Sequence, residues 1–118
     1  MNFDRTADLC SRFPLVTREL YVLECGDGWH LLLRHALGQL ERIAARDAAA
    51  GNKPLLVVRV REDHGCLEIV TKGIDDEIFD VVNSAYQASR NVCEKCGCAA
   101  EWKYGGGGYS RSRCDSCG

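Results

Sequence analysis

A chain of 118 residues has room for one compact domain with a small appendage. An apolar fraction of 46% against 27% charged residues excludes a disordered chain, and a net charge of −2 with a pI near 5.9 excludes a broadly basic surface. No apolar run reaches the length of a membrane span and no signal-peptide core opens the chain, so the eight cysteines read as metal ligands and buried thiols of a cytoplasmic protein.

Taken in order, Asp4 to Phe13 suits a short helix that stops before Pro14. Thr17 to Cys25 carries Leu20, Tyr21, Val22 and Leu23, which predicts a short buried strand. From Asp27 to Ala50 the spacing of Trp29, Leu33, Ala36, Leu37, Leu40, Ile43 and Ala44 predicts a long amphipathic helix. Asp27 would cap it and Gly51 would stop it, with Arg34, Arg42 and Arg46 on its solvated side.

Pro54 to Val70 reads as a β-hairpin turning at Glu62-Asp63-His64-Gly65. Alternation assigns Leu56, Val58 and Val60 to one face and Val57, Arg59 and Arg61 to the other. A second helix follows from about Asp76 to Asn91, capped by Asp75, with Ile78, Val81, Val82, Ala85, Tyr86 and Ser89 as its buried stripe.

That helix runs without a linker into the strongest signal in the chain. Cys93-Glu94-Lys95-Cys96 and Cys114-Asp115-Ser116-Cys117 are two Cys-x-x-Cys pairs, each followed by a glycine and separated by the seventeen residues 97 to 113. Each pair can present two thiolates to one ion, and two pairs close a tetrahedral site. The expectation is a structural Zn²⁺ bound by Cys93, Cys96, Cys114 and Cys117, with no open position for water. Between the pairs, two short strands flank a glycine tip at 105–108, the hairpin of a zinc ribbon. Cys98, two residues beyond Cys96, reads as a spare thiol with substitution as a ligand its alternative. Cys25 with His30 and His64 with Cys66 match no tight ligand turn, so buried thiols and a solvated histidine are the expectation.

On the ribbon hairpin, Trp102, Tyr104 and Tyr109 could stack on bases while Lys103, Arg111 and Arg113 meet phosphates. Local charge is against a dedicated nucleic-acid finger. Five cations from residue 90 onward meet three carboxylates and a thiolate centre of net charge −2. The same aromatics could instead cover the preceding helix, and the glycine run lacks the Lys-Ser/Thr of a phosphate loop.

The segment Glu24-Cys25-Gly26-Asp27-Gly28-Trp29, followed by helix, hairpin, helix and Cys-Glu-Lys-Cys-Gly, resembles short uncharacterised proteins of tailed bacteriophages and prophages. The likeness covers about residues 23–118 and implies an accessory protein made in a bacterial host cytoplasm. It carries no catalytic residue. The reading at this level is an α+β core over 1–92, two helices packed on a small antiparallel sheet, with a ribbon over 93–118 fused to the second helix. The expected role is non-catalytic: binding and regulating or inhibiting a host protein complex, such as transcription machinery or antiviral defence. Nucleic-acid binding through the hairpin is the alternative, and pairing of the exposed strand edge at 54–70 would allow a homodimer.

Overall fold

A computed structural model describes residues 1–105 and 109–118; residues 106–108 of the glycine tip expected at 105–108 lie outside them, as does the side chain of Tyr109. Three helices are present among the described residues: α1 (Phe3–Arg12), α2 (His30–Ala49) and α3 (Asp76–Ser89). Strands β1 (Leu56–Asp63) and β2 (Cys66–Lys72) form one two-stranded antiparallel sheet. Strands β3 (Glu101–Gly105) and β4 (Tyr109–Arg113) form another, so the class is α+β.

The helices form where the apolar period demands burial. Leu33, Ala36, Leu37, Leu40, Ile43 and Ala44 line the buried side of α2, and Ile78, Val81, Ala85 and Ser89 that of α3, where Val82 is only half-buried and Tyr86, expected in the stripe, is exposed. Asp75 caps α3 by accepting the Ile78 amide at 2.8 Å, and α2 stops where Gly51 takes φ +75°. Helix α3 lies against both α2 and β2, while α1 packs on α2. Trp29, Leu33, Leu37 and Leu40 meet Val57, Val60 and Leu67 in one core, into which Leu9, Val16 and Leu23 also insert. Each such fully buried aliphatic side chain contributes about 2 kcal/mol through area removed from water.

Three expectations are corrected. Residues 14–19 form turns, not the start of a strand, and only Glu24 makes a bridge, parallel to Arg61. The reason is spacing: Val16, Leu20 and Leu23 are buried while Tyr21 is 84% exposed, which no two-residue alternation satisfies. A bulge between Val57 and Arg59 then reverses the facing of half of β1. Val57 is fully buried and Val58 is turned outward, the reverse of the faces that alternation assigned to them. Finally, Asp27 does not cap α2. It opens a 3-10 turn, Asp27–Trp29, and its carboxylate accepts from the Asn2 backbone and side chain at 2.8 and 3.2 Å.

The β1–β2 turn uses His64 at φ 52° and Gly65 at φ 80° as a two-residue connection of two left-handed residues. Val57 donates to the Val16 carbonyl, and Glu24 bonds both Val60 and Glu62, so residues 16 and 24 occupy part of the β1 edge.

Candidate metal centre and its seat on the core

The two Cys-x-x-Cys turns fold alike. Gly97 donates its amide to the Cys93 carbonyl at 2.9 Å, and Gly118 does the same to Cys114 at 2.9 Å. Gly97 takes φ 82°, the left-handed conformation that glycine adopts without strain. Such turns aim both thiols of each pair inward. The sulfurs of Cys93, Cys96, Cys114 and Cys117 all lie within 4.8 Å of one another, with Cys96 and Cys114 3.5 Å apart. Four thiolates about 2.3 Å from one tetrahedral ion would sit about 3.8 Å apart, so this cluster can hold a metal with small adjustment.

Electrostatics favour an ion there. Burial opposes ionisation of Cys93, but backbone N–H groups of Cys114, Cys96 and Lys95 outweigh it and bring the thiol to about 6. The neighbouring sulfurs of Cys114 and Cys96 hold Cys117 up at about 12. A first thiolate is easy and a last one is resisted by its neighbours, which a divalent cation would relieve. Among the described residues, no other group of three histidine, cysteine or acidic side chains converges in this way. The Cys98 sulfur is exposed and stands outside the group, while its carbonyl accepts the Cys93 amide at 2.7 Å.

The cysteine module is locked to the core through Glu94 and the Gly26-Asp27-Gly28-Trp29 stretch. Glu94, inside the first turn, accepts the Gly26 amide on its carboxylate at 2.9 Å and the Gly28 amide on its backbone carbonyl at 2.7 Å. Trp29 donates its indole N–H to the Val92 carbonyl at 3.0 Å. A methyl group on Gly26 would lie 2.3 Å from the Glu94 oxygen, and one on Gly28 would lie 2.1 Å from the Cys93 oxygen. The Gly-x-Gly-Trp stretch is therefore the seat of the cysteine turn, with backbone against backbone. Its glycine spacing was the only sequence signal of that role.

The β3–β4 hairpin grips a second place, the tip of β1–β2. Trp102 donates its indole N–H to the His64 carbonyl at 2.8 Å, and the Ser112 hydroxyl donates to the Gly65 carbonyl at 2.6 Å. Arg90 at the end of α3 stacks over the Trp102 ring at 5.0 Å. Register pairs Trp102 with Ser112 and Tyr104 with Ser110, so alternation puts these four on one face. Lys103, Arg111 and Arg113 belong to the other face, beside Glu101. Lys103 is 3.8 Å from Asp115 and Arg113 is 4.0 Å from Glu94, so carboxylates accompany two of the three cations. Tyr104 is exposed.

The remaining thiols and imidazoles stay apart. Burial pushes the Cys25 thiol up to about 12, which makes it a poor nucleophile. His30 bonds Asp8 at 3.1 Å, not Cys25. His64 is solvent-facing beside Asp63, and Cys66 is buried next to the Tyr86 hydroxyl, whose pKa it raises. No described helix is long and apolar enough to cross a membrane. Comparison with protein-family models, curated proteins and solved structures finds no match for this chain.

Proposed function

We propose that the chain is a zinc-binding, non-catalytic accessory protein that acts by docking on another protein. The observation that carries this reading is the convergence of four sulfurs on a turn bolted to the core through Glu94. An all-thiolate donor set at tetrahedral spacing favours Zn²⁺, and four protein ligands close the ion to water and substrate. Its role is then to fold a ribbon and fix its shape, contributing on the order of 10–16 kcal/mol of apparent binding energy. Burial of Cys25 and the separation of the histidines support the absence of chemistry.

A protein partner suits an acidic chain whose hairpin cations are accompanied by Glu94, Glu101 and Asp115. The resemblance of residues 23–118 to phage accessory proteins supports a bacterial host complex as that partner, in transcription or antiviral defence, met in the cytoplasm. The test is affinity capture from bacterial lysate with the zinc-loaded protein. Recovery of a stoichiometric protein is expected, and recovery of nucleic acid alone would contradict it.

A nucleic-acid reading draws on the shared face of Lys103, Arg111 and Arg113. It requires binding to DNA that weakens steeply with salt, and no binding at about 50 mM salt would remove it.

A further inference from the structure

Helices α1 and α2 leave between them an open groove of about 710 Å³ that the cysteine module does not touch. Arg12, Arg34 and Arg42 line it together with Phe13, Leu31 and Gly38, and no carboxylate does. Gly38 lies on the floor beside the Phe13 ring, where a Cβ would be 3.4 Å from Cε1, an ordinary contact. Leu31 stands at one end, 71% exposed, a large apolar side chain left in water.

Two of the three groove arginines, Arg34 and Arg42, are uncommitted, while Arg12 and the neighbouring Arg46 are not. Arg46, one turn further along α2, is held by Glu77 at 2.7 Å, and Arg12 by Asp8 at 2.9 Å. Among the described residues neither Arg34 nor Arg42 has an ion-pair partner. Their backbone positions are about 12 Å apart along the helix axis. The groove thus joins two free cations to an apolar floor, on a chain whose net charge is −2.

From this geometry we infer that the α1–α2 groove receives an acidic segment of the partner protein. An apolar side chain of that segment covers Phe13, Gly38 and Leu31, while carboxylates about 12 Å apart pair with Arg34 and Arg42. This deepens the protein-docking reading and rests on it. Nucleic acid fits less well, because a polyanion meets the whole acidic chain whereas a short segment meets only the groove.

Fluorescence anisotropy with a labelled helical peptide of glutamate and leucine tests the assignment on the full zinc-loaded chain. Wild type should bind it, and Arg34→Glu/Arg42→Glu should weaken binding by about tenfold or more. Leu31→Ser should weaken it less, and Lys53→Glu/Lys72→Glu, an equal charge change at exposed sites elsewhere, should leave it nearly unchanged. Circular dichroism checks that these surface variants remain folded. Absence of peptide binding, equal losses in both double variants, or tighter groove-dependent binding of single-stranded DNA would each overturn the assignment. If a protein captured from lysate binds the Arg34→Glu/Arg42→Glu variant as well as wild type, the groove assignment falls while the docking function stands.

Discussion

Glu94 accepts the Gly26 amide at 2.9 Å across sixty-eight residues of sequence, joining the first cysteine turn to the entrance of α2. The carboxylate is mostly buried and, with the adjoining Glu94 carbonyl on Gly28, makes the metal turn and the core one structural unit. Glu94→Ala should lower stability by about 1.5–3 kcal/mol, the range for a hydrogen bond to a charged group, measured by urea denaturation. Glu94→Gln retains an acceptor oxygen and should lose less. Equal losses for the two variants would mean that the side chain merely fills space.

Glycine substitutions separate close approach from helix propensity. Gly26→Ala and Gly28→Ala drive a methyl group into backbone oxygens and should each cost about 1–3 kcal/mol or detach residues 93–118. Gly38→Ala lies within α2 at ordinary contact distance from Phe13 and should stabilise by about 0.5–1 kcal/mol. Thermal melting of the three variants reads the difference in sign.

Replacing Cys114 with serine, or adding a strong chelator, should unfold the β3–β4 hairpin and release Trp102 from the His64 carbonyl. Tryptophan fluorescence should then move to longer wavelength. With thiolates as the proposed ligands, a bound metal should also dissociate more readily as pH falls, followed by native mass spectrometry. Unchanged fluorescence with the metal removed would show that the hairpin folds on its own.

Cys25 gives a pH dependence of definite sign. Burial raises its thiol from the ordinary 9.0 to about 12, so its folded-state value lies above its unfolded one. The stability tied to the protonated thiol is complete below pH 9 and is lost as pH rises toward 12. At neutral pH iodoacetamide should modify exposed Cys98 quickly and Cys25 only after unfolding, as peptide mass mapping would show.

Legibility in the sequence followed the range of the forces involved. Helices α2 and α3 were readable because their apolar periods act over several turns, and the convergence of the Cys-x-x-Cys pairs because two thiols three residues apart meet in one local turn. The turns at 14–19 were not, since burial of Val16, Leu20 and Leu23 depends on a core assembled from distant segments. Nor was the bulge at Val58, whose neighbour Val57 is held by the Val16 carbonyl, a partner the alternation of β1 does not contain. In the sequence Glu94 is only the residue that follows Cys93. Its function is visible only when Gly26 and Gly28 are beside it.

Amide hydrogen exchange at Gly28, with and without metal, tests most directly whether the cysteine cluster is a metal-held clasp on the core. The Gly28 N–H is bonded to the Glu94 carbonyl at 2.7 Å, so chelation should abolish its protection while Val60 and Leu67 in the β1–β2 core remain protected. Protection at Gly28 that survives complete metal removal would contradict the clasp.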